Sequence, residues 1–338
     1  MIGWLNLTDE QRRTSLQQAS ARSGMSPKAI EKDWWVTLCL KAIFSTPHAG
    51  YFIFKGGTSL SKGWKLIKRF SEDIDIALDA EAFGREYVKE PSHSYVKTLK
   101  REGCLFTSTV IKESLEAQLV AMGIPAGTVT VEAAPVPENI PDRDPQTLFV
   151  RYRSLYDPNP YLADEVKIEF SVRSLKEPFA AVQIKSILWE MFPNRAYEET
   201  PFEVVAVAPR KTFIEKMFLL HEKFAAADAE KIKTERMSRH LYDIVQLMNE
   251  GIGQEALQDR ELYANLRLHR ERYIRVSGMD YEMLHPAKLS FIPPAALLEL
   301  FRQDYATMQV QMIYTESPSF DELMEKLNEL TGQLRGLE

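Results

Sequence analysis

Two aspartates separated by one residue, Asp73 and Asp75, lie downstream of the turn sequence Gly56-Gly57-Thr58-Ser59. On a strand, side chains alternate faces, so both carboxylates project the same way. Like charges held that close need a cation between them, and hard oxygen ligands suit Mg²⁺ or Mn²⁺. The apolar run Ile53-Phe54 leads through Lys55 into the glycines. A glycine turn that opens a helix offers backbone N–H groups to phosphate, with Thr58 and Ser59 adding hydroxyls. A phosphate holder beside a divalent-metal holder describes a site for a metal–nucleotide complex. An isolated Asp-x-Asp is commonly a solvated strand end. Here the neighbours Ile74, Ile76, Ala77 and Leu78 indicate a buried strand. The turn is no P-loop: the G-x-x-x-x-G-K-[ST] spacing is absent, and Lys55 precedes the glycines.

Further residues fit the same chemistry. Lys62, Lys65, Lys68 and Arg69 form a basic cluster between turn and carboxylates, readable as a solvated helix face. Arg69 stands out because it adjoins Ser71-Glu72-Asp73, where Ser71 can bond a carboxylate or phosphate. A third acid is expected on the alternating segment Glu165–Val172, where Lys167, Glu169 and Ser171 share one face. Glu169 beside Asp73 and Asp75 would hold metal or accept the proton of an attacking hydroxyl. The competing reading is an outer sheet face with a Lys–Glu pair, and Asp164 is the substitute acid. Between Arg210 and Arg239 stand eight Lys/Arg against five Asp/Glu, a local positive segment. Lys216 is the expected phosphate ligand there, offsetting charge on a leaving pyrophosphate. Leu219 is placed with Met217 and Phe218 on the buried side of that helix, and His221 is read as structural. Asp243 lies in an apolar helical run; it either pairs with Arg239 one turn away or orients Lys216 or Arg239 at the site. Arg267–Arg275 is basic with aromatic interleaving, a pattern a solvated face explains equally well.

The elements that must position these groups are legible from caps and periodicity. Thr8-Asp9-Glu10-Gln11 reads as a capping box opening a helix that Gly24 ends. Ser26-Pro27 starts a second helix running to about residue 44. Strands are expected over 51–55, 73–78, 128–136, 147–154, 166–172, 180–184 and 202–207, with a short helix over 58–66, a longer one over 92–122 and a loop at 135–145. From Pro209 the pattern is helical, over about 209–226, 238–249, 254–276, 294–312 and 319–337. The fold class is α+β. Residues 1–50 are N-terminal helices packing on the core, 51–208 a mixed-sheet domain with flanking helices, and 209–338 an all-α C-terminal helical domain.

The chain has 338 residues, 45% hydrophobic and 27% charged, with a net charge of −6. That composition fits a soluble globular protein and excludes a basic nucleic-acid coat, though not a local basic face. Cys39 and Cys104 lie far apart without metal-ligand spacing, as in a reduced, cytoplasmic protein. Neither a signal peptide nor a membrane span is expected.

Gly56-Gly57-Thr58-Ser59-Leu60, followed by Arg69-Phe70-Ser71-Glu72-Asp73-Ile74-Asp75, resembles the first motif of the AbiEii/AbiGii-type nucleotidyltransferases. These are toxins of bacterial abortive-infection and toxin–antitoxin pairs within the DNA polymerase β-like superfamily. Glu215-Lys216 and Arg239-His240-Leu241-Tyr242-Asp243 resemble the family's later lysine and aspartate motifs, and Glu31-Lys32-Asp33-Trp34-Trp35 its N-terminal helix. The resemblance implies a nucleotidyltransferase-type sheet domain and Mg²⁺-dependent transfer of a nucleoside monophosphate from an NTP. Some members modify tRNA acceptor ends and block translation, so tRNA is the expected acceptor and a cognate antitoxin a possible partner. The superfamily's third acid is usually an aspartate, where this chain offers Glu169. Three other readings stay open: attachment of AMP or UMP to a protein, a catalytically inactive nucleotide-binding protein, and a small-molecule transferase.

Overall fold

The computed structural model describes residues 2–159, 162–193, 200–225 and 232–337. The last residue of the helix expected over 209–226, and Asp228, Glu230 and Lys231 of the positive segment, lie outside the described residues. The chain forms two compact units. Met1–Trp64 with Phe70–Val207 make the first, and Lys65–Arg69 with Ala208–Glu338 the second. The N-terminal helices thus belong to the same unit as the sheet, and five residues of the turn-to-strand connection belong to the second.

The first unit begins with α1 (Asp9–Ser23) and α2 (Pro27–Ile43). The Thr8 hydroxyl accepts from the Gln11 N–H and the Gln11 side chain accepts from the Thr8 N–H, closing the capping box; Gly24 ends α1 at φ 73°. Ser26 caps α2, whose first residue is Pro27. β1 (Phe52–Lys55) then runs into the short α3 (Gly56–Thr58) and one π-helical turn, Ser59–Gly63. β2 (Ile74–Leu78), α4 (His93–Phe106), α5 (Lys112–Ala121), β3 (Val129–Ala133), β4 (Gln146–Tyr152), β5 (Glu165–Ser171), β6 (Phe179–Ile184), α6 (Ile187–Met191) and β7 (Phe202–Val207) complete it. The helix expected over 92–122 is interrupted by a π-helical turn at Thr107–Ile111, and α6 is an addition to the expected elements.

All seven strands form one mixed sheet in the order β3-β4-β5-β2-β1-β7-β6. β1 is antiparallel to β2 and parallel to β7, while β2 is parallel to β5. Helices with a seven-stranded mixed sheet are the α+β architecture expected. Strand interiors are apolar because they are covered: Phe52, Ile53 and Phe54 of β1 are all buried, as are Val166, Ile168 and Phe170 of β5. Helix α2 is buried along nearly its whole length. Its Trp35 stacks on Tyr152 of β4 at 4.6 Å, and Trp34 packs against Trp4 at the same separation.

In the second unit, α7 (Pro209–Ala225), α8 (Ser238–Asn249), α9 (Ile252–Gln258), α10 (Arg260–His269), α11 (Leu298–Gln311) and α12 (Phe320–Arg335) follow in order. The helix expected over 254–276 is broken, because Asp259 caps a new helix by accepting from the Leu262 N–H at 3.0 Å. Leu219 is exposed and Leu220 buried, the reverse of the expected placement of Leu219. Helix α7 is buried on almost all sides and leaves Leu219 and Lys223 on a narrow open stripe, so no broad apolar face marks its inner side.

Candidate functional site

The acidic face is built by strand register. Asp75 is level with Lys55 of β1 on one flank and with Glu169 of β5 on the other. Residues directly opposite in neighbouring strands share a face, whereas Asp73, expected inside the strand over 73–78, lies just before β2, which begins at Ile74. Glu169 therefore stands on the face of Asp75. Asp164 lies five residues back along the chain, about 16 Å at strand rise, and its carboxylate pairs with Lys28 of α2 at 2.7 Å. The register puts Glu169, and not Asp164, level with Asp75.

The glycine turn is shaped around Asp75. Gly56 has φ +77°, and a Cβ placed there would lie 2.1 Å from Asp75 Oδ2 and 2.9 Å from its Cγ. Only glycine combines that backbone with so close a carboxylate. The Thr58 hydroxyl meets Ser71 Oγ at 2.9 Å and donates to the Asp73 carbonyl at 2.5 Å, joining the turn to the start of β2. Ser59 Oγ donates to the Gly56 carbonyl at 2.9 Å. Both residues are buried. The expected phosphate-facing hydroxyls of Thr58 and Ser59 are thus committed inward, because buried hydroxyls must be satisfied. Ahead of α3, no side chain caps the first turn.

Lys167 donates to Glu169 Oε1 at 2.8 Å. Burial pulls the Lys167 ammonium down, but Glu169, Asp73 and Asp75 together outweigh it and hold its pKa above the ordinary lysine value. Among the described residues, no three or more His, Cys, Asp or Glu side chains are gathered so as to hold a metal ion. The expected trio Asp73, Asp75 and Glu169 does not close into a ligand cluster: Asp73 lies ahead of β2 and Glu169 is turned to Lys167. The donor set itself suits a hard divalent cation: carboxylate oxygens, with Asp75 seated against a glycine that leaves room for it.

In the second unit, Arg69, Lys216 and Asp243 form a buried cluster. Arg69 grips Asp243 through two bonds of 2.7 and 2.8 Å, and Lys216 Nζ lies 2.9 Å from Asp243 Oδ2. Burial pushes the Asp243 carboxyl up, but the charges of Arg69 and Lys216 prevail and hold it well below the usual carboxylate range. Burial drives Lys216 below the ordinary lysine value in spite of Asp243. His240 Nδ1 is 3.5 Å from Lys216 Nζ, and burial, followed by the Lys216 and Arg239 charges, holds its pKa well down. Asp243 holds Lys216, one of the partners the sequence offers for it, and Arg69, which is not among them. His221 accepts from the Ser290 N–H at 2.9 Å, a structural bond.

Sequence reasoning gave the charges of α2 no part in the site. Glu31 accepts from Ser154 Oγ at 2.6 Å and the Leu155 N–H at 2.9 Å. Lys32 bonds the carbonyls of Ala163 and Glu165 and lies 3.2 Å from Glu72. Asp33 accepts from Lys62 at 2.5 Å and from the Ile187 N–H at 2.7 Å. Lys62, placed on a solvated face by sequence, is therefore buried. Lys32 and Asp33 hold the two segments that carry the site: Glu72 directly precedes Asp73, and Lys62 sits in the helical turn behind Gly56. Their signal was available, because three consecutive charges on a helix apolar all round cannot share one solvated face.

A family described as "Nucleotidyl transferase AbiEii toxin, Type IV TA system" matches residues 39–326. The chain belongs to the AbiEii family. The match spans the acidic face, the glycine turn and the Arg69–Lys216–Asp243 cluster, so these residues stand in a nucleotidyltransferase of the toxin–antitoxin class. No curated protein matches the chain. Among the described residues, no helix is long and apolar enough to cross a membrane.

Proposed function

We propose that this AbiEii-family enzyme moves a nucleoside monophosphate from an NTP to a hydroxyl of RNA, with tRNA the first acceptor to test. The observation that carries the reading is Asp75 seated against Gly56, with Glu169 level with it on the neighbouring strand and Asp73 two residues ahead. Asp73 and Asp75 would hold Mg²⁺ or Mn²⁺, joined by Glu169. Bound there, the cation supplies positive charge to the triphosphate and to the attacking oxygen.

The chain's own groups do the rest. The turn Gly56–Ser59 receives the terminal phosphates through its backbone, with Thr58 and Ser71 fixing the turn against the strand. The acceptor oxygen bonds to the α-phosphorus, the bond to the β-phosphate oxygen breaks, and pyrophosphate leaves. Glu169 takes the proton of the acceptor hydroxyl. Lys216, oriented by Asp243 beside Arg69, is assigned to the phosphates and offsets charge on the leaving group. The helices from Pro209 onward, read as an all-α domain, recruit the acceptor. Such a reaction takes place in the cytoplasm, where a cognate antitoxin would restrain it.

The test is incubation of the pure protein with each α-labelled NTP and total cellular RNA or protein. Label should enter RNase-sensitive material and vanish in Asp73→Ala and Asp75→Ala. Persistence of incorporation in both folded variants defeats the mechanism, and protease-sensitive label moves the acceptor from RNA to protein. Growth arrest on expression, relieved by Asp75→Ala, tests the toxin assignment in cells.

A further inference from the structure

The acidic face carries its own cation. Asp75 is level with Glu169, Lys167 stands two residues before Glu169 on the same strand, and Asp73 directly precedes β2. Alternation places Lys167 and Glu169 on the face of Asp75, and the charge of Asp73 also acts on the Lys167 ammonium, so three carboxylates neighbour a single ammonium among the four. That ammonium lies 2.8 Å from Glu169 Oε1. Lys55, on the other flank of Asp75, directs its ammonium to Ser174 Oγ at 2.7 Å. The Lys167 side chain is 37% exposed, so its flexible stem can turn the charge out to solvent without breaking the core.

We propose that Lys167 is a built-in counter-cation that occupies Glu169 in the metal-free protein and competes with the divalent metal for it. This rests on the assignment of Asp73, Asp75 and Glu169 to metal. Three neighbouring carboxylates repel each other, and a tethered ammonium relieves that repulsion at no cost of association. A divalent ion arriving alone must displace the ammonium from Glu169 or accept a positive neighbour. A metal arriving with a triphosphate brings negative charge that gives the displaced ammonium a new partner. Lys167 therefore disfavours bare metal and favours the metal–nucleotide complex.

The experiment is Mn²⁺ binding, followed by electron paramagnetic resonance and by thermal unfolding, in wild type, Lys167→Met and Lys167→Arg, without nucleotide. Lys167→Met should bind Mn²⁺ about tenfold more tightly than wild type, as expected when a neighbouring like charge is removed. Lys167→Arg, which keeps the charge, should match wild type. In chelator the melting temperature of Lys167→Met should fall below that of wild type, and Mn²⁺ should raise it more. Equal Mn²⁺ affinity in wild type and Lys167→Met overturns the proposal while leaving the metal site standing. Unchanged Mn²⁺ affinity with weakened NTP binding does the same and makes Lys167 a phosphate ligand. Absence of Mn²⁺ binding in all three proteins overturns the metal assignment as well. Loss of the tightened binding in Lys167→Met/Asp75→Ala supports both.

Discussion

Replacing Gly56 by alanine separates the position of Asp75 from the stability of the fold. At φ +77° an alanine meets the left-handed backbone penalty, about 1–2 kcal/mol. Its Cβ would also lie 2.1 Å from Asp75 Oδ2, 2.9 Å from Cγ and 3.2 Å from Cβ. Because three successive atoms of the side chain are crowded, turning the carboxylate about its last bond does not clear the clash. Reaching an ordinary contact of 3.4 Å requires Oδ2 to move by about 1.3 Å. A misplacement of about 1 Å at a reacting centre can cost about 100-fold in rate. Gly56→Ala should therefore lower the melting temperature by about 2–8 °C and reduce NTP transfer by about 100-fold or more. Gly84 supplies the control, since it has φ +75° and nothing within 4 Å of an added Cβ. Gly84→Ala meets the same backbone penalty and should keep full activity. The assays are thermal unfolding and single-turnover incorporation of α-labelled NTP into RNA, with all three proteins shown to be folded. If Gly56→Ala transfers nucleotide as fast as Gly84→Ala, the Gly56–Asp75 contact does not position the reaction and the reasoning fails.

Two other outcomes follow from buried charges. Asp33→Ala strands the Lys62 ammonium inside the first unit and should cost about 3–5 kcal/mol in denaturant unfolding. The apolar pair Asp33→Leu with Lys62→Met should recover most of that loss, and a double variant as unstable as the single would refute the ion-pair account. His240 is held neutral in the fold, its pKa well below the ordinary 6.5. The unfolded chain then binds a proton that the folded one refuses, so stability falls as the pH drops below about 6.5, by about 1.4 kcal/mol per pH unit for this one group. His240→Asn should remove that share of the acid slope between pH 6.5 and 5, and unchanged slopes in the two proteins would mean that His240 is protonated in the fold.

Much of this architecture can be read along the chain, because local rules act over a few residues. The capping pairs Thr8–Gln11 and Ser26–Pro27 mark helix starts through bonds made within one turn. The alternation Val166, Ile168, Phe170 against Lys167, Glu169 shows which face of β5 is buried before any partner strand is known. What resists reading is pairing at long range. Nothing local to β2 says that Asp75 will sit level with Glu169 rather than with a residue two positions along, since any even shift keeps the same face. Lys216 and Arg239 are the partners the sequence offers Asp243, whereas Arg69 lies 174 residues back in sequence. The hydroxyls of Thr58 and Ser59 look available to a ligand until Ser71 and the Asp73 carbonyl are brought against the turn.

Charged residues mislead most, because in a sequence a charge reads as solvent. Lys62, Lys32, Asp33 and Glu72 are all buried. Each is spent on fixing a segment that carries the site, and isolated ions at those depths would not be tolerated. A helical turn of Glu31-Lys32-Asp33 sweeps about 200° of the helix circumference over two steps of about 100°. With Ala29, Ile30, Trp34 and Trp35 around it all buried, no solvated stripe of that width is left on α2. Some of those charges must therefore face the protein interior, and each must find a polar partner there. Those partners turn out to be the turn behind Gly56 and the residue before Asp73. The same logic applies to Lys167, the remaining cation of a strand whose neighbours on that face are acids. An ammonium placed there is as much a component of the site as the carboxylates, and the exposure of its stem is what lets it yield.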